Sequence, residues 1–451
     1  KAGKANITAK VNGKKYVCKV TVKNKKKVNE TTEATTQQST TQATPAPEKP
    51  TNPNTPSNPT TPSKPTTPSK PDTPSNSTTP SKPTTPSKPD QPTTPDDTEG
   101  KNPGDVSALE KIIKEQNSKG AKLPTDLNAQ YTVGYYVSYY AGGGYEDIEG
   151  DGYKWDKNGR LIGISWGGCS MSGSLDLSEL TALTKLDCSG NQLSNLDVSN
   201  NKALTYLDCH ENQLSSLDVS NNTALARLGC YRNQLSSLDV SKNTALKWLD
   251  CYINQLSILD VSGATALAEL DCNSNQLSKL DVSKNTALKV LQCDENQLSS
   301  LDVSNNTALR YLECHSNQLS SLDVSGATEL DYLSCGYNQL SSLDVSKNTE
   351  LDSLHCSSNQ LSSLDVSKNT ELTRLKCYIN QLSSLDVSKN TELTDLDCSS
   401  NQLSSLDVSK NTELTDLYCS SNQLSSLDVS KNTELEFLYC SSNQLSSLDV
   451  S

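Results

Sequence analysis

The sequence lacks the motifs by which most enzymes are recognised. It contains no HExxH or GxSxG motif, and no Walker lysine follows the Gly142-Gly143-Gly144 run, which we interpret as a loop. It also has no apolar run long enough to span a bilayer, no initiator methionine and no signal peptide. The missing catalytic motifs argue against catalysis. The missing initiator methionine and signal peptide fit a piece of a longer chain, which is what we expect this sequence to be.

Hydrophobic residues are scarce, and so is positive charge in the C-terminal part. Only 33% of the 451 residues are hydrophobic. Residues 175–451 carry 17 Lys and Arg against 36 Asp and Glu, a balance of −19, whereas the preceding part has a balance of +6. Because phosphate contacts need a basic surface, the acidic part argues against nucleic-acid binding.

What the sequence does contain is a 21-residue repeat that begins near Leu183 and continues to the end. The unit reads L-x-x-L-x-C-x-x-N-Q-L-S-S-L-D-V-S-x-N-T-x, and thirteen cysteines from Cys188 to Cys440 keep its interval. A fixed period of 20–29 residues with this Leu and Asn spacing is the signature of a leucine-rich repeat solenoid.

The repeat also predicts which side chains are inside. Leu396 and Cys398 lie two residues apart and therefore point to the same side of a strand, with Asp395 and Asp397 on the other. Asn401 is expected to turn inward and bond to the backbone. One unit buries too little apolar surface to fold alone, so units must stack on one another. We therefore predict a mostly β, α/β-type leucine-rich repeat solenoid, a curved right-handed coil with a parallel concave sheet and short convex Leu-Asp-Val-Ser strands.

Fifteen cysteines raise the question of disulfides. Stacked rungs are about 4.8 Å apart, a spacing that permits bridges, but all thiols of the ladder point into the same core. We therefore favour reduced, structural thiols, with disulfides or a metal as the alternatives.

Four segments are expected along the chain. Residues 1–24 form two strands around an Asn12-Gly13 turn, and residues 25–104 are a disordered linker rich in Thr, Ser, Pro and Lys. Residues 105–160 form an N-terminal cap, with a helix started by a Ser107–Glu110 capping box and a hairpin turning at Asn158-Gly159. The repeat array occupies residues 161–451, with one degenerate repeat in which Trp166 replaces the cysteine and Cys169 the asparagine.

These residues carry two family resemblances. From Leu161 to Ser451 the array resembles the short-repeat internalins, most closely the internalin J type, in which a cysteine takes the third leucine position. The stretch KANITAKVNGKKYVCKVTV is similar to the closing hairpin of bacterial Ig-like group 2 domains. The resemblance implies a secreted protein at the bacterial cell surface or cell wall that attaches to a host or neighbouring-cell surface.

Variation between repeats indicates where binding occurs. The eleven aromatic residues and three histidines of the array all fall at five solvent-facing positions between the first Leu and the Asn. A constant scaffold with one variable face is how a solenoid presents a concave binding surface, and Tyr, Trp and Arg dominate interface hot spots. We predict that the ligand-binding residues are Tyr206, His210, Tyr231, Arg232, Trp248, Tyr252, Tyr311, His315, Tyr332, Tyr337, His355 and Tyr378.

The predicted function is non-catalytic adhesion or recognition of a protein or glycan by a monomer without a cofactor. One alternative is a rigid cell-wall spacer without a specific ligand, and another is the substrate-selecting arm of a larger secreted enzyme. We predict no metal site. The Asp147–Gly152 segment imitates a calcium loop, but Asn158 stands where a bidentate Glu is needed. Calcium along the row of convex aspartates is a further alternative.

Overall fold

The computed structural model describes residues 98–138, 143–446 and 448, together with two strands at 3–11 and 14–22. The predicted Asn12-Gly13 turn and the predicted linker as far as residue 97 lie outside these residues. The two N-terminal strands, β1 (Gly3–Val11) and β2 (Lys14–Val22), pair in antiparallel fashion, which confirms the two predicted strands.

The segment before the array, which the sequence predicts to be its cap, begins with helix α1 (Pro103–Ser118). Its N-cap is Asn102, whose Oδ1 accepts hydrogen bonds from the backbone N–H groups of Gly104 (3.0 Å) and Asp105 (3.1 Å), and Pro103 takes the first helical position. The predicted capping box was wrong, because Ser107 lies inside the helix. Asn102 with Pro103 is a sufficient start signal, and it occurs one turn earlier in the chain.

Hydrogen bonds and one aromatic pair join the segment before residue 161 to the array. Asp105 accepts hydrogen bonds from Arg160 (Nε–Oδ2, 2.7 Å) and from the backbone N–H of Leu161 (2.9 Å). Trp166, fully buried, donates from Nε1 to the Tyr153 hydroxyl at 3.3 Å, and the two rings meet edge to face. Trp166 therefore closes the end of the cysteine row with a larger apolar side chain, as predicted.

Most strands of the cap and the array form one 15-stranded sheet. Strands β5 (Gly152–Trp155) and β6 (Leu161–Ser165) pair antiparallel, and every later strand of this sheet is parallel to its neighbour. These parallel strands have three residues each: β8 (Lys185–Asp187), β10 (Tyr206–Asp208), β11 (Arg227–Gly229), β13 (Trp248–Asp250), β15 (Glu269–Asp271), β16 (Val290–Gln292), β17 (Tyr311–Glu313), β18 (Tyr332–Ser334), β19 (Ser353–His355), β20 (Arg374–Lys376), β21 (Asp395–Asp397), β22 (Asp416–Tyr418) and β23 (Phe437–Tyr439).

We number the coils from Leu183, so that coil 1 starts at Leu183, coil 2 at Leu204, and coil 13 at Leu435. Positions 1 to 21 run within each coil, and the strand occupies positions 3 to 5. The register is exact from coil to coil: the central leucine of one strand lies beside that of the next, as for Leu396 and Leu417. The 21-residue period therefore sets the rungs of the sheet.

The core lies where the repeat predicts it. In coil 11 the side chains of Leu393, Leu396, Cys398, Leu403 and Val408 are fully buried, and Leu406 is 7% exposed. All cysteines from Cys169 to Cys440 are buried and unbridged. Burial raises the pKa of Cys356 and Cys398 to about 12, so these thiols stay protonated at neutral pH.

Position 9 forms the predicted asparagine ladder. Asn401 donates from Nδ2 to the carbonyl groups of Cys377, Cys398 and Ser399, and its Oδ1 accepts from the backbone N–H of Leu382 at 3.0 Å. Each such side chain thus joins its own coil to the preceding one. The inward orientation of Asn401 is confirmed.

A second asparagine ladder, which the sequence analysis did not identify, runs at position 19. Asn411 donates from Nδ2 to the carbonyl groups of Val387 (2.9 Å) and Asn390 (2.7 Å), and its Oδ1 has no hydrogen-bond partner. Ala264 and Ala327 take this position in coils 4 and 7. The second ladder is therefore less completely bonded and less uniform than the first.

The convex strands are present in only some coils. Strand β12 (Ser237–Asp239) pairs with β14 (Ile258–Asp260), and β7 (Ser172–Asp176) with β9 (Gln192–Asp197). The remaining pair, β3 (Thr132–Ser138) and β4 (Gly143–Glu149), belongs to the cap. Elsewhere in the described coils pairing on this side is reduced to isolated bridges, as between Asp302 and Asp323, or is absent. The convex aspartate bonds to the following serine in both cases: Asp239 Oδ1 accepts from the backbone N–H of Ser241 at 2.8 Å, and Asp407 Oδ1 from that of Ser409 at 2.9 Å. The predicted short convex strands and aspartate hydrogen bonds are thus present, the strands in only some of the coils.

Candidate binding surface

The outer face of the 15-stranded sheet is built from positions 3, 5, 7 and 8 of the coils, and we keep the name concave face for it. Since neighbouring side chains of a strand alternate, Leu375 points into the core while Arg374 and Lys376 point out. The backbone then passes Cys377, which turns inward, before positions 7 and 8 point outward again. These four positions differ from coil to coil, while the buried leucine, cysteine and asparagine positions stay nearly constant.

All twelve predicted binding residues lie on the concave face, in separate rows. Position 3 carries Tyr206, Trp248, Tyr311 and Tyr332; position 5 carries His355; position 7 carries His210, Tyr231, Tyr252, His315 and Tyr378; position 8 carries Arg232 and Tyr337. The structure brings some of them into contact and separates others.

The first aromatic cluster is a stack along position 7 of coils 2 to 4. The rings of His210 and Tyr231 are 4.2 Å apart and those of Tyr231 and Tyr252 are 4.3 Å apart, with interplanar angles of 8° and 9°. Asp208 holds the near end through a 2.6 Å contact between its Oδ1 and Nδ1 of His210. Burial alone lowers the pKa of His210, but the hydrogen bond and charge of Asp208 outweigh it, so the pKa is raised.

Two predicted neighbours of this stack lie in another row. Trp248, at position 3, donates from Nε1 to Glu269 at 3.1 Å, and Lys247 lies over its ring. Tyr206 is also at position 3, under the guanidinium group of Arg227. The predicted single cluster is therefore two rows, separated by the carboxylates of position 5.

The second aromatic cluster joins coils 7 to 10. Tyr311 and Tyr332 stack at 4.3 Å, and Tyr332 meets His355 edge to face at 5.5 Å. The Tyr337 and Tyr378 hydroxyl groups are 3.3 Å apart across two coils. Burial and the charges of Lys376 and Arg374 lower the pKa of His355 to about 4, so this ring is neutral at physiological pH.

Two predicted residues are not accessible to solvent. Tyr206 is only 5% exposed and Tyr311 only 7%, although neither belongs to the main core. Neighbouring rungs cover both side chains: Tyr206 lies under the Arg227 guanidinium group, and Tyr311 packs between Val290 and Tyr332. The prediction that every aromatic residue of the array faces solvent was wrong for these two.

A row of carboxylates that was not predicted from the sequence lies between the aromatic clusters. Asp250, Asp271 and Glu313 occupy position 5 of coils 4, 5 and 7, and Asp294 occupies position 7 of coil 6. Burial, followed by the neighbouring carboxylates, raises the pKa of Asp271 to about 7 and that of Asp294 to about 6. A signal was available, since acidic residues recur at variable positions of consecutive coils.

Position 8 also carries exposed apolar side chains, of which Ile253 and Ile379 were not predicted as binding residues. Ile253, Tyr337 and Ile379 are 44%, 55% and 52% exposed, and their φ angles are +50°, +52° and +54°. Position 8 has a positive φ in coil after coil, and coil 1 places Gly190 there. A β-branched residue in this conformation is strained. The isoleucines of two identical Tyr-Ile pairs, at 252–253 and 378–379, are therefore exposed at an energetic cost to the backbone.

Neither a metal site nor a membrane helix occurs in the part of the chain that the structure describes. No three His, Cys, Asp or Glu side chains converge there as metal ligands. None of its helices combines the length and apolar character that a bilayer crossing requires.

The stacked coils, the buried thiol row and the asparagine ladder define a leucine-rich repeat solenoid with a cysteine ladder. The functional domain of InlJ from Listeria monocytogenes, described as including a cysteine ladder, is 39% identical to this chain with a TM-score of 0.59; the match covers 62% of this chain and 67% of that one. The chain therefore belongs to the internalin J-type family of cysteine-ladder leucine-rich repeat proteins.

Other solved structures share the fold. The internalin InlF from Listeria monocytogenes is 26% identical with a TM-score of 0.55, over 60% of this chain and 85% of that one. YopM from Yersinia enterocolitica is 24% identical with a TM-score of 0.52, over 76% and 74% of the two chains, a likeness that shows the fold alone. A scan against protein-family models and a search of curated proteins return no match.

Proposed function

We propose that this chain is a non-catalytic adhesion module that binds a protein through its concave face, at the surface of a bacterial cell. The observation that carries the proposal is the confinement of the array's aromatic residues to that face. Core and convex positions stay almost constant from coil to coil, so only this face can distinguish one ligand from another. In this proposal residues 105–160 cap the array, and the 1–24 and 25–104 segments are an Ig-like tail and a linker.

The packing of the rings favours a protein over a glycan. A sugar ring binds an aromatic residue by lying on an open ring face, and both faces of Tyr231 are covered by His210 and Tyr252. The stacks therefore present ring edges and hydroxyl groups, which suit the hydrogen-bonding groups of a polypeptide. Exposed Ile253 and Ile379 beside the stacks add apolar contacts of the kind found in protein interfaces.

The experiment measures adhesion of beads that carry the full chain to cultured epithelial cells. Replacing both Tyr231 and Tyr252 by Ser is expected to reduce bound beads at least tenfold, because the stack loses its hot-spot area. The matched control replaces Tyr418 and Tyr439, a stacked pair in the late coils, by Ser and is expected to leave adhesion unchanged.

Treatment of the cells distinguishes the ligand classes. Trypsin should abolish adhesion and glycosidases should not; the reverse pattern would assign a glycan instead. Wild-type adhesion by the Tyr231→Ser/Tyr252→Ser variant would contradict the proposal and favour the spacer alternative.

A further inference from the structure

Coils 4 to 7 of the concave face carry four carboxylates in a row, Asp250, Asp271, Asp294 and Glu313, which we call the acidic row. It lies between the first aromatic cluster, ending at Tyr252 in coil 4, and the second, starting at Tyr311 in coil 7. Three rungs of a sheet span about 14 Å, the length of four extended residues. The acidic row and the aromatic clusters thus form one strip of the sheet.

The carboxylates of the acidic row are incompletely neutralised by the protein itself. Arg227 reaches Asp250 at 3.7 Å, and His315 Nε2 lies 3.4 Å from Asp294. In the described part of the chain no cationic side chain forms an ion pair with Asp271, which accepts hydrogen bonds only from Asn273. Glu313 is bonded by neutral groups, the Tyr311 hydroxyl and the Gln292 amide.

Asp294 gives a second and independent indication of a missing partner. Asp294 is only 7% exposed, and its Oδ1 has no hydrogen-bond partner among the described residues. Its Oδ2 lies 3.4 Å from Nε2 of His315, two residues after Glu313, so its carboxylate lies on the same face as the acidic row. An unpaired buried carboxylate oxygen costs free energy that a bound cation would recover.

We infer that the acidic row is the subsite for cationic side chains of a bound polypeptide, with the aromatic clusters gripping the segments on either side. This inference rests on the proposed function and specifies the partner as a segment with Arg or Lys at alternate residues. Side chains on one side of an extended peptide are about 7 Å apart, so two of them reach carboxylates of different rungs. A charge-assisted hydrogen bond from such a side chain to Asp271 or Asp294 replaces the water lost on burial.

The test measures binding of acetylated tetra-arginine to the full chain by isothermal titration calorimetry at pH 7.5 and physiological salt. Asp271→Asn/Asp294→Asn is expected to weaken binding at least tenfold. Asparagine has nearly the same size as aspartate and keeps an oxygen that accepts from Asn273. Because the substitution also removes poorly solvated charge, we expect the variant to fold. The matched control, Asp281→Asn/Asp302→Asn, removes the same charge from the exposed convex side of the same two coils and should change affinity less than twofold.

Acidity gives a second readout. The groups around Asp271 and Asp294 that titrate are Asp250, Glu295, Glu313 and His315. Because Asp271 and Asp294 must lose their protons to pair with a cation, wild-type binding should strengthen from pH 5.5 to pH 8, and the double variant should lose most of that dependence. Tetra-glutamate should not bind at either pH.

Equal weakening by both double variants would overturn the inference, because it would show attraction by net charge alone; so would unchanged binding by the concave variant. The proposed function fails separately. If beads carrying Asp271→Asn/Asp294→Asn adhere to cells as well as wild type while the Tyr231→Ser/Tyr252→Ser beads do not, the adhesion proposal stands and the cationic subsite is rejected.

Discussion

At the scale of single residues, the concave face contains a strained backbone conformation and poorly solvated carboxylates that the repeat fold does not require. Ile253 and Ile379 hold a left-handed backbone that Gly190 takes without strain in coil 1. The partly buried Asp271 has no ion-pair partner among the described residues, and the buried Asp294 has a histidine near its Oδ2 but no hydrogen-bond partner for its Oδ1. Strained backbone and poorly solvated charge are typical of binding sites, where a ligand recovers the cost.

The backbone strain can be measured. Ile379→Asn should be more stable than Ile258→Asn by about 1–2 kcal/mol, because Asn tolerates the left-handed region whereas Ile258 lies in ordinary strand backbone that favours a β-branched residue. Both isoleucines are more than half exposed, so the two substitutions lose similar contacts. The measurement is equilibrium urea unfolding of the two variants, and equal stabilities would show that φ at position 8 stores no strain.

At the scale of the coil, the two asparagine ladders make different contributions. Asn401 bonds through both its amide nitrogen and its oxygen, whereas Asn411 leaves its Oδ1 unpaired. Coils 4 and 7 are built with alanine at the second position, so the fold tolerates its loss there. The asparagine ladder at position 9 is therefore the stronger connection between coils.

We expect Asn401→Ala to cost about 2–4 kcal/mol, because it leaves the Leu382 N–H without its acceptor and removes three hydrogen bonds donated to backbone carbonyl groups. Asn411→Ala should cost at least 1 kcal/mol less, since it removes two hydrogen bonds and also an unsatisfied oxygen. Both substitutions lie in coil 11, and thermal unfolding followed by circular dichroism compares the stabilities of the two variants. A larger loss for Asn411→Ala would contradict this ranking.

Within a coil, the buried positions could be predicted from the sequence, whereas the convex strands could be predicted only in part. The period of the leucines and cysteines set which side chains are buried, because alternation along a strand and stacking between coils leave one solution. Asn401 was predictable for the same reason. The extent of the convex strands was not, because Asp239 in a strand and Asp407 outside one form the same turn with the following serine, so the repeat does not reveal which coils pair there.

Side-chain contacts between coils were the least predictable part. The rule that variable positions face out is correct for direction, yet Tyr206 and Tyr311 are covered by neighbours 21 residues away. Burial of a concave residue thus depends on the residues above and below it. The acidic row was missed for a related reason, since Asp294 at position 7 joins position 5 carboxylates only after the coils are stacked.

At the scale of the whole molecule, the proposed binding segment lies apart from a more repetitive segment of the array. The aromatic clusters and acidic row occupy coils 2 to 10, whereas positions 7 and 8 of coils 11 and 12 are the serine pairs Ser399-Ser400 and Ser420-Ser421. In a solenoid each coil contacts its neighbours only, so stability is approximately a sum over coils and their interfaces. Removal of a complete coil should therefore preserve the fold.

Deletion of coil 11 (residues 393–413) should leave a folded chain with a Tm a few degrees lower, because β20 can pair with β22 in the same register. Bead adhesion should be unchanged. Deletion of coil 5 (residues 267–287) should lower Tm by a similar amount but abolish adhesion, because it removes Asp271 and brings the aromatic clusters one rung closer. The two deletions remove equal lengths, so a passive spacer would respond to both alike. Equal adhesion after either deletion would therefore place the binding surface outside the acidic row and the clusters that flank it.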